Sequence, residues 1–263
     1  MKKALLILAS VAMASTVAMA DVESQNMVGF SKASVPSNGF WMVSCNFQTT
    51  DGSNQVSIQD LFPAEELFHD SGNNGAMCDQ IMVYDGSNYT AFVYNKLFDY
   101  DLEDYVGQPM WVYQNAPATL MFKRGDGFWY KRSQISPITT LTVKGQAPVD
   151  ASIAHDSLPV GFMIFGNAYP NSTAITNLSI NAYHDPSNNG ANCDQIMVYD
   201  GTNYTAYVFN KLFDYDLEDY VGEPTWVYQN APAADLLPVG RAAWYKRSAN
   251  AGGPATWTEA KPY

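Results

Sequence analysis

Basic residues are scarce in this sequence. Its 263 residues include 14 Lys and Arg against 26 Asp and Glu, which gives a formal net charge of −12 at neutral pH. Proteins that bind nucleic acids neutralise phosphates with a basic surface, whereas an acidic surface repels the polyanion. We therefore expect no nucleic-acid partner.

Residue types that are typical of catalytic and transition-metal centres are also few. The chain has three His and three Cys, and none of them lies in a His-Glu-x-x-His or Cys-x-x-Cys motif; a Gly-x-Ser-x-Gly motif is absent too. Glycine-rich loops that could cradle phosphates are missing, which argues against nucleotide use. Because no motif in the sequence indicates a catalytic residue, we expect a non-enzymatic protein.

Long apolar runs are absent beyond the N-terminus. Two lysines, an apolar run over 4–17 and a small-x-small cleavage site at 18–20 form a pattern typical of a secretory signal peptide. We expect cleavage after Ala20 and a bacterial protein that is secreted, extracellular or periplasmic, with no membrane span. Removal of the leader takes away two lysines and no acids, so the net charge becomes −14.

What the sequence does contain is an internal repeat. Residues 69–133 align with residues 184–248 at a shift of 115, and roughly three quarters of these positions are identical. Outside this span the copies diverge. Two copies of a unit of roughly 110 to 120 residues fit two similar domains. We predict a signal peptide at 1–20, a first domain at 21–147 and a second domain at 148–263.

Strand patterns dominate both copies. The runs 81–84 and 89–94 are rich in β-branched and aromatic residues and flank an Asp-Gly turn, a hairpin signal that recurs at 200–203. Helical periodicity is scarce, since only residues 58–68 could hold a short helix and Pro63 interrupts them. We predict an all-β fold of two similar β-sandwich or barrel-like domains in tandem. Further strand-like runs cover 27–35, 40–47, 110–113, 127–132 and 139–144.

Each copy carries a cluster of four acidic residues. Clustered carboxylates supply the oxygen ligands that Ca²⁺ prefers, so a calcium site is one hypothesis for each cluster. The other interpretation is a solvated loop or face, and an EF-hand does not fit because its sixth position is Asp104 rather than Gly. The candidate calcium ligands are Asp99, Asp101, Glu103 and Asp104 in the first copy and Asp214, Asp216, Glu218 and Asp219 in the second.

Aromatic residues are abundant, with 17 Tyr, 13 Phe and 6 Trp. Exposed rings can present apolar faces to a sugar, whereas rings in strands more often pack in a core or in cross-strand pairs. Both readings stay open for the duplicated aromatics. The candidate ligand-binding residues are Trp111, Tyr113 and Trp129 in the first copy and Trp226, Tyr228 and Trp244 in the second.

Three cysteines in an exported chain leave one unpaired in any intramolecular scheme. A Cys45–Cys78 disulfide would tie two strands of the first copy and leave Cys193 available for an intermolecular bond. A Cys78–Cys193 disulfide would join the two domains instead. The remaining alternative is that all three are buried thiols.

Three segments carry a resemblance to a known group of proteins. Residues 158–170 (LPVGFMIFGNAYP), 79–90 (DQIMVYDG followed by Tyr89-Thr90) and 125–130 (GDGFWY) resemble motifs of uncharacterised exported bacterial tandem β-domain proteins. The resemblance could cover nearly the whole mature chain. It implies an all-β extracellular module without an assigned reaction, and it brings no catalytic residues with it.

Three functions are compatible with these features. The first is a non-enzymatic structural or interaction protein of the cell surface or extracellular matrix, with protein or glycan partners and self-association through edge strands. The second is a calcium-assisted, lectin-like carbohydrate-binding protein that uses the acidic and aromatic segments. The third is a secreted glycan hydrolase with paired carboxylates. The only cofactor that the sequence suggests is calcium.

Overall fold

The chain is an all-β protein built of two similar units, as the sequence predicts. A computed structural model describes residues 28–49, 53–155 and 157–262, so the predicted signal peptide at 1–20 lies outside the described residues. Within these ranges, helical structure is limited to single 3₁₀ turns. They are Ala64–Glu66, Gly75–Met77, Ile175–Asn177, Gly190–Asn192 and Ala249–Ala251.

In the described part of the chain, twenty strands follow one another in the same order in the two copies. We call β1–β10 the first lobe and β11–β20 the second lobe. The strands of the first lobe are β1 (Val28–Ser34), β2 (Phe40–Ser44), β3 (Gln55–Ser57), β4 (Gln80–Tyr84), β5 (Tyr89–Asp99), β6 (Asp104–Tyr113), β7 (Ala116–Pro117), β8 (Met121–Lys123), β9 (Gly127–Lys131) and β10 (Thr140–Gln146). Those of the second lobe are β11 (Ser152–Ala154), β12 (Gly161–Gly166), β13 (Thr173–Ala174), β14 (Gln195–Tyr199), β15 (Tyr204–Asp214), β16 (Asp219–Tyr228), β17 (Ala231–Pro232), β18 (Leu236–Leu237), β19 (Ala242–Arg247) and β20 (Thr258–Ala260).

Each lobe has one large sheet and two small ones. The large sheet of the first lobe has six strands in the order β2-β9-β4-β5-β6-β7, and that of the second lobe repeats it as β12-β19-β14-β15-β16-β17. The small sheets pair β1 with β10 and β3 with β8, and their counterparts pair β11 with β20 and β13 with β18. All these pairings are antiparallel, so short loops are sufficient to connect neighbouring strands.

The core of each lobe lies between the large sheet and the small sheets. In β5 the side chains alternate, so Phe92 and Tyr94 point inward and pack with Trp111 of β6. Val56 of β3 and Leu141 of β10 close this core from the opposite side. The arrangement is sandwich-like, and the second lobe builds an equivalent core around Tyr207, Trp226 and Tyr245.

The predicted hairpin connects β4 to β5 and is confirmed in both copies. Asp85 accepts hydrogen bonds from the backbone N–H groups of Ser87 and Asn88 at 2.8 and 2.7 Å. Gly86 has φ of 100°, a conformation that is open to glycine at little cost. These backbone hydrogen bonds favour the carboxylate and lower the pKa of Asp85.

The segment predicted as a possible short helix forms only one 3₁₀ turn. Pro63 directly precedes the turn Ala64–Glu66 and has extended backbone angles, so it ends any helix that would begin before it. Leu61, Phe62 and Leu67 flank the turn and are buried in the core of the first lobe. Burial of these side chains, rather than helical hydrogen bonding, therefore fixes this segment.

A buried ion pair, which no sequence motif indicated, fixes the end of β9. Asp79 accepts hydrogen bonds from the Tyr130 hydroxyl at 2.5 Å, Arg132 Nη1 at 2.6 Å and the Ser133 N–H at 2.8 Å. The side chains of Asp79 and Arg132 are completely buried. Asp194 repeats the arrangement in the second lobe with Tyr245, Arg247 and Ser248.

The two lobes pack through the edges of their large sheets with approximate twofold symmetry. The backbone N–H of Ser44, at the end of β2, donates to the carbonyl oxygen of Gly240 at 3.1 Å. Gly166 ends β12, the equivalent strand, and its N–H donates to Gly125 at 3.0 Å. Trp129 packs on Tyr199, while their counterparts Trp244 and Tyr84 pack on each other, both pairs with ring centroids 5.2 Å apart.

The symmetry of this junction breaks where the two lobes approach most closely. Gly127 and Ala242 are equivalent residues that start β9 and β19. A Cβ atom on Gly127 would lie 2.9 Å from the Cβ of Ala242 and 2.4 Å from a methyl group of Ile164. Only one of the two equivalent positions can carry a methyl group, so the copies differ there for a steric reason.

Across the described part of the chain, no helix has the length and apolar character needed to cross a membrane.

Candidate functional site

The six aromatic residues predicted as ligand platforms separate into three kinds of position. Trp111 and Trp226 are 1% and 2% exposed and belong to the cores of the two lobes, so the prediction of a ligand platform is wrong for them. Trp129 and Trp244 pack at the junction between the lobes. The last pair, Tyr113 and Tyr228, remains accessible, with 41% and 39% of the residue exposed. They alone among the six meet the requirement of exposure.

The acidic cluster of each copy forms the tip of a long hairpin. Asp99 ends β5, and one of its carboxylate oxygens accepts hydrogen bonds from the backbone N–H groups of Asp101 and Leu102 at 2.9 and 3.1 Å. Glu103 adopts a positive φ of 51° before β6 begins at Asp104. The tip is therefore a tight, exposed turn.

The turn has the same structure in the second lobe. Asp214 accepts hydrogen bonds from Asp216 and Leu217 at 2.8 and 3.2 Å, and Glu218 has φ of 52°. Within residues 28–49, 53–155 and 157–262, no group of three or more His, Cys, Asp or Glu is arranged to hold a metal ion. Asp99 and Asp214 thus have a role in shaping the turn that needs no cation.

The face of the β5–β6 hairpin that points away from the core carries an open groove, which we call the outer groove. Its volume is about 480 Å³ in the first lobe and about 510 Å³ in the second. In the first lobe it is lined by Gly75, Ala91, Val93, Asn95, Lys96, Phe98, Tyr100, Tyr105, Val112, Tyr113, Gln114 and Asn115. In the second lobe it is lined by Asn188, Gly190, Ala206, Val208, Asn210, Lys211, Phe213, Tyr215, Tyr220, Val227, Tyr228, Gln229 and Asn230.

Aromatic rings form one wall of the outer groove. Phe98 packs edge-on against Tyr100 and Tyr105, with centroids 5.2 and 5.1 Å away. Tyr100 is 75% exposed, and so is Tyr215 in the other lobe. Edge-to-face packing fixes the rings relative to one another. The groove therefore presents a preorganised apolar surface to solvent.

Amides form the other wall and hold the hairpin in place. The side chain of Asn115 accepts a hydrogen bond from the Phe98 N–H at 2.7 Å and donates one to the Phe98 carbonyl oxygen at 2.8 Å. Asn95 donates to the carbonyl oxygen of Asn73 at 3.1 Å and accepts from the Lys96 N–H at 2.9 Å. Aromatic faces next to fixed amides are typical of binding sites for polar ligands.

The two outer grooves are chemically the same. Each lining residue of one groove has a residue of the same type at the matching position of the other, 115 residues away. The segment 119–128, by contrast, differs from 234–243 at every position except Gly125. The described structure therefore contains two equivalent surfaces. The exposed Tyr113 and Tyr228 lie at their border, because the rings of these residues pack on Phe92 and Tyr207 of the cores.

Sequence patterns indicated only part of this site. The duplicated aromatics pointed to Tyr113 and Tyr228, but Phe98 and Tyr105 were not among the predicted ligand-binding residues. The signal that could have found them is the unbroken identity of residues 95–107 with 210–222. This run includes the polar groove residues Asn95 and Lys96 as well.

The cysteines are free and buried, which corrects the proposed Cys45–Cys78 disulfide. Each thiol has its own backbone partner: Cys45 donates to the carbonyl oxygen of Phe47, and Cys78 to that of Asn74. Burial, with a smaller contribution from Asp126, raises the pKa of Cys45 to about 12. Burial also raises the pKa values of Cys78 and Cys193. The thiols thus fit the alternative of three buried, reduced cysteines.

Strand β7 pairs with only two residues of β6, Val112 and Tyr113, so the rest of β6 forms the outward edge of the large sheet. This edge is poorly suited to strand addition. Pro109 lies in β6 and has no N–H to donate, and Gly107 interrupts the strand with φ of 77°. Pro224 and Gly222 occupy the same places in β16. Proline and irregular backbone on an edge are known to prevent pairing between chains.

Comparison of the chain with protein-family models, with curated protein sequences and with solved structures found no significant match.

Proposed function

We propose that the chain is an exported, non-enzymatic interaction protein of the cell surface or extracellular matrix that binds its partner through the two outer grooves. The observation that supports this proposal is the identity of the two groove linings, beside a segment in which nearly every residue differs. A binding function requires the same chemistry at both sites, whereas a purely structural role places no such demand on exposed rings.

The chemistry of the grooves favours a glycan as the partner over a protein strand. Rings such as Tyr100 and Tyr105 offer apolar faces with hydroxyl groups at their edges, and Asn115 and Gln114 add amides beside them. Sugar rings have both apolar faces and polar edges, which this combination complements. Self-association by strand addition is disfavoured because Pro109 and Gly107 interrupt the open edge.

A binding screen with matched variants tests the proposal. The mature protein would be applied to a glycan array and to an extract of native cell envelopes, beside the double variant Tyr100→Ala/Tyr215→Ala, since these two rings line the grooves and are each 75% exposed. Phe30→Ala is the matched control, because Phe30 is 71% exposed on β1 and lies outside both grooves. We expect the double variant to lose binding and the control to retain it. Binding that survives in the double variant would contradict the proposal.

The calcium-assisted lectin is a second candidate, and one observation favours it. Tyr100 lines the groove and also lies within the acidic tip Asp99–Asp104, so a cation at the tip would sit beside the ligand. If this candidate is right, calcium raises the melting temperature and strengthens glycan binding, and Asp101→Asn/Glu103→Gln abolishes both effects. Glycan binding that is unchanged by a chelator would contradict this second candidate and favour binding that does not need calcium.

A further inference from the structure

The junction between the lobes contains two cavities related by the approximate twofold symmetry. The first, which we call the polar junction cavity, has a volume of about 250 Å³ and is lined by Arg124, His155, Ile164, Phe165 and Trp257 among others. The second has about 240 Å³ and is lined by Trp41, Val43, Val239 and Arg241 among others. The equivalent glycines Gly125 and Gly240 line one cavity each.

The diverged segments 119–128 and 234–243 give these cavities different chemistry. Arg124 in the polar junction cavity corresponds to Val239 in the other cavity, and Lys123 corresponds to Pro238. Gly125 and Gly240 are the unchanged pair, with φ of 86° and 72°. A Cβ on Gly125 would come within 2.5 Å of the His155 ring, and one on Gly240 within 2.4 Å of Ser31. The two cavities thus share the backbone conformation at these glycines, while the side chains that line them differ.

Arg124 is buried without full use of its hydrogen-bonding capacity. Its side chain is 1% exposed and its Nη2 forms an ion pair with Asp150 at 2.5 Å. Nε and Nη1 of the same guanidinium group have no hydrogen-bond partner, and neither has Nε1 of Trp257 in the same cavity wall. Buried donors without acceptors are costly, so a group that satisfies them would bind favourably.

The counterpart cavity also holds a cation that lies over an aromatic ring, as Arg124 lies over Tyr169 at 5.7 Å from the ring centroid. The guanidinium group of Arg241 stacks on the ring of Trp41 at 3.7 Å and donates to the carbonyl oxygen of Tyr199. One nitrogen, Nε, remains without a partner there. Arg241 therefore serves mainly to hold the two lobes together, and the side of the junction with Arg124 has the larger excess of donors.

The wall around Arg124 is rigid and partly apolar. His155 stacks on Trp257 with centroids 3.5 Å apart, and its Nε2 lies 3.2 Å from a carboxylate oxygen of Glu259. Ile164 and Phe165 contribute apolar surface to the same cavity. Besides Arg124, charged residues in the lining are Lys123 and Asp126, and Asp126 accepts a hydrogen bond from the Lys123 N–H at 2.7 Å.

We propose that the polar junction cavity binds one small carboxylate with an apolar body. The unsatisfied groups in its lining are all donors, namely Nε and Nη1 of Arg124 and Nε1 of Trp257, and a carboxylate offers only acceptors. Guanidinium groups form their strongest hydrogen bonds with carboxylates. Ile164 and Phe165 would contact the apolar body of the ligand.

The test is isothermal titration of the mature protein with hexanoate and benzoate, with 1-hexanol and benzyl alcohol as neutral controls of matched shape. We expect saturable binding of one carboxylate per chain and no saturable binding of the alcohols. Absence of saturable binding by both acids, or equal binding of the alcohols, would overturn the proposal, since ordered water would then satisfy the donors.

Three variants make the test specific to Arg124. Arg124→Met should weaken carboxylate binding at least about tenfold, whereas Asp150→Asn should strengthen it several-fold because it removes the competing carboxylate. Lys32→Met, which removes another cation from the lining of the equivalent cavity, is the control and should leave the affinity unchanged. Asp150→Asn keeps the test decisive if Arg124→Met does not fold, because unchanged or weaker binding in that variant contradicts the proposal.

Discussion

At the residue scale, one difference between the copies involves two positions whose side chains contact each other. Phe92 and Leu120 of the first lobe correspond to Tyr207 and Asp235 of the second. The Tyr207 hydroxyl donates to the Asp235 carboxylate at 2.5 Å, and burial and this carboxylate raise the pKa of Tyr207. Each substitution alone would leave a polar group facing an apolar neighbour. Sequence patterns could not identify this pair, because its members lie 28 residues apart.

The buried ion pair gives the clearest prediction for a single residue. Asp79→Asn keeps the shape of the side chain but leaves Arg132 buried without a counter-charge, and both side chains are completely buried. We expect a loss of about 3 to 5 kcal/mol in the free energy of unfolding, measured by chemical denaturation. Asp60→Asn, at an exposed position, is the control. A loss below about 1 kcal/mol would show that the pair does not stabilise the fold.

The thiols give a second prediction at this scale. Because burial raises the pKa values of Cys45, Cys78 and Cys193, little reactive thiolate is present at pH 8. We expect the native protein to react slowly with a thiol reagent such as Ellman's reagent and to show three reactive thiols after denaturation. Fewer than three thiols after denaturation without a reductant would indicate that a disulfide exists.

At the scale of elements, local signals predicted some strands well and others poorly. The β4–β5 hairpin followed from its Asp-Gly turn, because turn geometry depends on adjacent residues alone. Strand β6 begins at Asp104, whereas the sequence predicted a strand only over 110–113. Gly107 and Pro109 suggested a break, but an edge strand tolerates both because its outward groups need no partner. The acidic tip was likewise ambiguous, since its turn depends on pairing between β5 and β6.

The two hydrogen bonds between the Asn115 side chain and the Phe98 backbone predict how the β5–β6 hairpin responds to substitution. Asn115 has a positive φ of 58°, so Asn115→Gly keeps the backbone conformation and removes both hydrogen bonds to Phe98. We expect faster hydrogen exchange at the Phe98 amide and a loss of about 1 to 2 kcal/mol in stability. Asn230→Gly should act in the same way on Phe213. Unchanged exchange at both amides would mean that strand pairing alone holds the hairpin.

At the scale of the whole molecule, the repeat predicted two similar units but not how they pack. The junction depends on residues that the repeat does not single out, such as Met42 and Ile164. Its twofold character emerges only from reciprocal contacts, for example Trp129 with Tyr199 and Tyr84 with Trp244. Such contacts join residues of different lobes, so no local pattern in the sequence reports them.

The asymmetric pair at the centre of the junction provides a test of this packing. Gly127→Ala would bring a methyl group within 2.4 Å of Ile164 and 2.9 Å of Ala242. We expect a loss of about 1 to 3 kcal/mol in stability. The exchange Gly127→Ala/Ala242→Gly should recover part of this loss, because it restores one methyl group at the centre. A neutral Gly127→Ala variant would contradict the packing of the lobes.

The two outer grooves have identical linings, so the central claim is that each chain has two equivalent binding sites. Native mass spectrometry of the mature protein with a glycan or envelope fragment from the binding screen measures that number directly. We expect two equal sites per chain, one site in each of Tyr100→Ala and Tyr215→Ala, and none in the double variant. A single site in the wild type, or two sites in either single variant, would contradict the central claim.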